Sequence, residues 1–371
     1  MSTGFFWDER TMWHAGGNYA FTVPLGGLVQ PLAAGGLPES PETKRRLKNL
    51  MDVTGLTRDL VLSSANAATR QQLLGVHDPE YLNSFKALSD EGGGEIGHHA
   101  PFAKGGYEIA ALSAGLAIAA VDAVLSGHHE NAYALSRPPG HHCRADAPMG
   151  FCLLANIAVA IAAAKTTRPD LRVAVLDWDV HHGNGTESIF YDRADVITLS
   201  IHQEGNYPLD SGGLGDRGSG AGVGFNLNLP LPAGAGHTAY LHAMDRVALP
   251  SIEAFGPDLI IVACGYDASA VDPLARMLAT ADTYRQMTLK IKQLAERICD
   301  GRLILVHEGG YSEVYVPFCG HATLEALSGS AITAPDPMER ALIARQPGPR
   351  FDAFLIREID HMADALGLPA P

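Results

Sequence analysis

Apolar runs of four to six residues, rich in Val, Ile and Leu, recur along the chain between longer segments with a helical period. Residues 4–7 predict a short first strand. Residues 11–38 are rich in Gly, Pro and Ala and lack periodicity, which predicts a long surface loop, and loops of this length are often functional. A helix is expected from Ser40, with Pro41 at its first position and Glu42 in its first turn, to about Val53. A strand at Leu60–Leu62, a helix over 78–89 and a second loop over 92–104 follow. From there helix and strand alternate regularly. Helices over 107–126, 153–165, 186–191, 237–255 and 281–299 precede strands at 132–136, 173–176, 196–201, 259–263 and 303–306, and a Gly-rich connection over 205–224 leads to a further strand at 225–229. Helices near 313–328 and 351–365 close the chain. This alternation predicts an α/β fold, one domain over 1–371, with about eight mostly parallel strands covered on both faces.

Composition narrows the class. A chain of 371 residues, 46% hydrophobic, buries a sizeable core without disulfides or metal. The net charge of −14 argues against a partner of nucleic acid or an anionic membrane and favours cationic substrates. Five cysteines, an odd number with no Cys-x-x-Cys pair, suit reduced thiols and a cytoplasmic location. The apolar segment Ile109–Leu125 is interrupted by Asp122 and small residues and reads as a core helix, not a membrane span.

The chemistry gathers just after the expected strands, where ligands bind in open α/β sheets. Asp177, Asp179, His181, His182, Gly183, Asn184 and Gly185 follow the run Val173–Leu176. On an extended chain residues two apart share a side, so Asp179 reaches one point with His181, and so does Asp177 with Asp179. A lone Asp-x-His would be a polar strand end with a turn. Two acids and two histidines leaving a buried strand are costly without partners and suit a zinc-like divalent metal. Asp267, after 259–263, completes three ligands and leaves a position open for water or substrate, as in catalytic zinc sites. His141 and His142 follow a Pro-Pro-Gly turn, and a tandem pair divides its roles, with one imidazole free to take a proton. Tyr311, after Gly309 and Gly310, is placed to donate a hydrogen bond to a developing oxyanion, although a tyrosine packed at a turn fits that motif equally well. His202 and His307 stand at the same edge. Phe151 and Tyr207 offer two walls of a narrow slot for an alkyl chain, against a default of core packing.

Six motifs together resemble the zinc-dependent histone deacetylase family: RPPGHH at 137–142, MGFC at 149–152, DWDVHHGNGT at 177–186, SIH at 200–202, GYDAS at 265–269 and HEGGY at 307–311. The likeness runs from about residue 38 to 330, with class II features, and is nearest to the bacterial histone deacetylase-like amidohydrolases. The resemblance implies an arginase–deacetylase fold and an amide hydrolase acting on acyl-lysine, or alternatively on an acetylated polyamine. It implies Zn2+ on Asp179, His181 and Asp267, His142 as base beside His141, and Tyr311 as oxyanion donor. Gly150 and Leu274 would join Phe151 and Tyr207 in the substrate tunnel. Structural K+ would sit at Asp177, Asp179, His181, Ser200 and Ile201, and at Phe190, Arg193, Val196 and Phe225. Relatives suggest a homo-oligomer. Two departures matter: Asn184 stands where many members have Asp, and Tyr207 where many have Phe. An amide at 184 should keep His142 neutral more easily than a carboxylate would. Glu95, His98 and His99 are the candidates for the rim residue that grips substrate. A non-catalytic acyl-lysine binder would lack a ligand or the tyrosine. An arginase-like two-manganese hydrolase would need further bridging carboxylates.

Overall fold

The computed structural model describes residues 2–17, 19–24, 29 and 36–369. Eight parallel strands form one sheet: β1 (Thr3–Phe6), β2 (Leu60–Ser63), β3 (Asn131–Ala134), β4 (Val173–Asp177), β5 (Val196–Gln203), β6 (Asn226–Leu231), β7 (Leu259–Cys264) and β8 (Leu303–His307). Their order is β6-β5-β4-β7-β8-β3-β1-β2, and every pairing is parallel.

The central strands read as continuous apolar runs because both faces are covered. Alternate residues go to opposite layers. Leu176, Ile260, Val262, Leu303 and Leu305 join one apolar cluster. Val173, Val175, Ile261, Ile304 and Val306 join the other. Each such side chain, fully buried, is worth about 1.5–3 kcal/mol, so the core favours one register strongly.

Local signals set the helices. Ser40 Oγ accepts from the Glu42 N–H, Pro41 opens the helix Pro41–Thr54, and Gly55 ends it at φ 91°. Thr280 and Thr283 cap Ala281–Ile298 reciprocally. Helix Gly106–Leu125 is long and apolar enough to cross a membrane by length and composition alone. Here it packs inside the fold, against the helix Asn156–Lys165 and strands β1 and β3.

Several boundaries differ from the sequence expectation. The helix expected from 153 begins at Asn156, because residues 149–155 form a buried turn that carries Gly150 and Phe151. The expected helix 237–255 is one helical run with a π-turn over Met244–Ala248. Short helices at Arg70–Leu73 and Glu339–Ile343 are too brief for a periodic signal. The described part of the 11–38 loop holds a single-turn 3-10 helix, Glu9–Trp13, and a small hairpin of Tyr19–Ala20 with Val23–Pro24. Residues 18, 25–28 and 30–35 of that loop lie outside the described residues. The 92–104 loop is also a hairpin, Gly93–Glu95 with Pro101–Ala103. All five cysteines are buried and free.

Candidate active site

The chemistry leaves the sheet from four neighbouring strands at its centre, β4, β7, β8 and β3. Their ends are level: Asp177 pairs with Ala263, Cys264 with His307, and Val306 with Ala134.

Strand β4 ends at Asp177, so Asp179 and His181 lie beyond the strand on which their common side was argued. Turn hydrogen bonds bring them together instead. The Asp179 N–H donates to Asp177 Oδ1 at 3.0 Å, and the His181 N–H to Asp179 Oδ1 at 3.0 Å. The Val180 N–H reaches across to Asp267 Oδ1 at 2.8 Å. His181 Nδ1 then lies 3.1 Å from both Asp179 Oδ1 and Asp267 Oδ2. Ligand atoms of the three residues lie within 4.8 Å of one another, and all three are buried. Edges of a zinc tetrahedron with bonds of 2.0–2.1 Å are about 3.4 Å, so the set fits such an ion. Backbone N–H groups anchor both carboxylates: Asp179 Oδ2 accepts from Gly309 at 2.8 Å and Asp179 Oδ1 from His181, while Asp267 accepts through Oδ1 from Val180 and turns Oδ2 to His181 Nδ1. No side chain fits at 309: a Cβ there would lie 2.1 Å from Asp267 Oδ2.

Asp177 turns away from that set. Its Oδ2 is 3.0 Å from His141 Nδ1. His142 Nδ1 is instead 2.7 Å from Asn184 Oδ1. Both acceptors hold the proton on Nδ1. For His142, which lines the cavity, this leaves Nε2 with a free lone pair. The two rings are nonetheless driven apart in acidity. Burial lowers His141, but the charges of Asp179 and Asp177 outweigh it and push it up to about 10. A cation on Asp179 would weaken that field and leave Asp177 as the main partner. Burial, then the charges of His141 and His181, holds His142 well below the usual imidazole range. Separated acidities of this kind mark an acid and a base.

Beside them opens a cavity of about 200 Å3 lined by Thr22, His99, His142, Gly150, Phe151, His181, Asn206, Tyr207, Leu274 and Tyr311. Phe151 meets Tyr311 edge-on at 5.8 Å, and Tyr207 meets His142 edge-on at 5.1 Å. Gly150 has φ 52°, and a Cβ there would lie 2.5 Å from the His142 ring, so only glycine lets the wall approach the histidine. The 92–104 hairpin is pinned over the mouth by hydrogen bonds from Gly150 N–H to His98 O and from Phe151 N–H to His99 O. His99 lines the cavity, His98 Nδ1 lies 3.2 Å from the Tyr207 hydroxyl, and the Tyr19 hydroxyl donates to Glu95.

Other residues at the same sheet edge point elsewhere. His182 lies against Ser211 and Glu187, and His202 against Ser200 and Gly212 O, both beneath the 205–224 segment. His307 turns inward to Tyr133. Ser200 pairs with Asp177 across the sheet, with Ile201 next along β5. Phe190, Arg193, Val196 and Phe225 gather near the start of β5, where Phe190 O and Phe225 O each accept one backbone N–H.

Two buried carboxylates were not foreseen as parts of the site. Asp272 accepts from the Tyr311 N–H at 2.8 Å and the Leu274 N–H at 2.9 Å, tying the tyrosine to the tunnel wall. Asp-Pro at 272–273 was the available signal, since Asp favours a hydrogen bond to the amide two residues on. Glu308 accepts from the Gly140 and His141 N–H groups. Thr22 and Asn206 carried no signal.

Known proteins with this arrangement are recognisable. The family described as "Histone deacetylase domain" matches residues 37–327. A histone deacetylase-like amidohydrolase of Pseudomonas aeruginosa is 57% identical over 99% of this chain and 96% of its own. Histone deacetylase 8 of Arabidopsis thaliana is 35% identical over 78% and 79%. The crystal structure of the HDA15 HD domain superposes with a TM-score of 0.79 at 28% identity, over 98% of this chain and 100% of that one. With its eight-stranded parallel sheet and its clustered acids, histidines and tyrosine, the chain belongs to the histone deacetylase family, with the arginase–deacetylase fold.

Proposed function

We propose that the protein is a zinc-dependent amide hydrolase that removes acetyl or another short acyl group from the side-chain amine of acyl-lysine. The observation that carries this reading is convergence: a neutral imidazole, a phenol and a three-ligand set meet around one narrow slot. About 200 Å3 is below the 300–1,000 Å3 of drug-sized sites and suits one unbranched alkyl amide.

Asp179, His181 and Asp267 would hold the ion, which supplies Lewis-acid polarisation of the amide carbonyl and a water of lowered pKa. His142 accepts the proton of the attacking water through Nε2 while Asn184 holds Nδ1. Tyr311 donates to the carbonyl oxygen as negative charge develops on it. Burial raises its phenol well above the usual range, so the proton stays available. Asp177, which holds His141, stabilises positive charge on the pair as the proton passes to the leaving amine. Phe151 and Tyr207 exclude water from the alkyl chain, and Leu274 extends the wall. K+ is proposed for the Asp177–Ser200–Ile201 region and for the carbonyls near Phe190 and Phe225, whose second lone pairs suit a hard cation.

The test is turnover of acetyl-lysine peptide and of acetylputrescine by the zinc-loaded chain. His142→Ala and Tyr311→Phe should each cost on the order of 10²–10⁴ in rate. Near-wild-type turnover in both refutes the assigned roles. A clear preference for acetylputrescine replaces acyl-lysine with a polyamine as substrate.

A further inference from the structure

Three consecutive amides of the histidine turn are held by buried side chains from elsewhere. Glu308 Oε2 accepts from the Gly140 N–H at 2.6 Å and from the His141 N–H at 3.1 Å. Cys152 Sγ accepts from the His142 N–H at 3.4 Å. Residues 140–142 belong to no helix or strand, so their backbone donors have no ladder to satisfy them. Glu308 is fully buried, and its Oε1 has no hydrogen-bond partner among the described residues. His141, Cys152 and Glu308 also form a cluster of metal-capable atoms within 4.8 Å. There, however, Oε2 and Sγ are already occupied by backbone donors, so the cluster reads as a cradle for the turn. A buried carboxylate with one idle oxygen is costly. Apolar packing would be cheaper if the turn needed only filling.

We infer that Glu308 is a positioning residue of the reaction: it fixes the backbone of Gly140 and His141, and thereby the direction in which the His141 and His142 rings face the slot. The inference rests on the proposed acid–base role of that pair. Glu308 does not line the slot, and its side-chain hydrogen bonds go to the turn and not to Asp179, His181 or Asp267. Misplacement of a catalytic group by about 1 Å costs on the order of 10² in rate, so a loosened turn would show in kcat before KM.

The experiment compares Glu308→Ala and Glu308→Gln in the zinc-loaded full chain, each alone and combined with His142→Ala. Glu308→Ala should lower kcat by roughly 10–100-fold with KM within about threefold. Glu308→Gln keeps an oxygen that accepts both N–H groups and should hold kcat within about threefold. In the His142→Ala background, Glu308→Ala should add less than about threefold, because it acts through the same group. Equal losses from Gln and Ala overturn the hydrogen-bonding role. Equal losses from Glu308→Ala in both backgrounds overturn the coupling to the histidines. If Glu308→Ala does not fold, Glu308→Asp replaces it: its shorter reach should cost roughly tenfold in kcat, and wild-type kcat overturns the inference. Near-wild-type turnover in His142→Ala alone instead sinks the acid–base role of the pair.

Discussion

Gly309→Ala tests the candidate metal centre without touching a ligand. Gly309 does not have a positive φ, so alanine is compatible with its backbone and the perturbation is one methyl group. That methyl would lie 2.1 Å from Asp267 Oδ2, 2.6 Å from Asp179 Oδ2 and 3.0 Å from Asp267 Cγ. Ordinary contact needs about 3.5 Å, so the Asp267 carboxylate has to retreat by roughly 1.4 Å. Metal–ligand distances tolerate only about 0.2 Å, so the shift is several times the tolerance. The Gly309 N–H that anchors Asp179 Oδ2 at 2.8 Å moves with the strand exit, weakening a second ligand. Loss of such anchoring typically costs 10–100-fold in metal affinity. That is about 1.4–2.7 kcal/mol of binding. Overpacking adds about 1–3 kcal/mol of lost stability. The assay is zinc affinity by chelator competition, beside Gly348→Ala as control, where an added Cβ meets nothing within 4 Å. Zinc affinity in Gly309→Ala within twofold of wild type would refute the placement of Asp179 and Asp267 around one ion.

Asn184→Asp puts a carboxylate on His142 Nδ1, favours the imidazolium and raises its pKa. The base is then protonated up to a higher pH, so the acid limb of kcat/KM should move up by about one unit; a profile with unmoved limbs would count against His142 as the group titrating in that limb. Tyr207→Phe removes the hydroxyl that lies 3.2 Å from His98 Nδ1 and makes the slot more apolar, so longer acyl-lysines should gain relative to acetyl-lysine in a chain-length series, and an unchanged ratio would be evidence against it. Arg137→Met takes one of two buried cations from Glu39, which lies 3.0 Å from Arg137 and 3.1 Å from Lys44, and strips the Thr11 and His14 carbonyls of their donor, so it should cost about 3–5 kcal/mol in urea unfolding; a loss below about 1 kcal/mol would contradict the buried pairing. Burial raises the Glu39 carboxyl, but the charges of Arg137 and Lys44 outweigh it and hold it at about 2. Because this folded-state value lies below the ordinary value of 4.5, the stabilisation is complete above about pH 4.5 and is lost as pH falls toward 2. Acid unfolding of Glu39→Gln should lack that component.

The sequence by itself determined the class of fold and most members of the candidate site. The apolar runs of the central strands are legible because those strands are buried on both faces and spell their burial in consecutive residues, whereas the edge strand Leu60–Ser63 leaves Val61 and Leu62 exposed. Asp179, His181, Asp267, His141, His142 and Tyr311 were legible because a parallel sheet delivers its ligands at strand ends, so their positions follow from the strands. Only the tertiary structure decided how these residues divide the work. Asp177 and Asp179 stand two apart, yet one faces His141 and the other His181, because turn hydrogen bonds beyond Asp177 reset the direction of the chain. His182, His202 and His307 carry the same side chain as His142 but point into other clusters, and no local pattern encodes that. Asp272 and Glu308 act on backbone amides 39 and 168 residues away, as do the hairpin contacts that set the mouth. Such bonds depend on which loops the sheet order brings side by side, a fact of packing that no run of neighbouring residues contains.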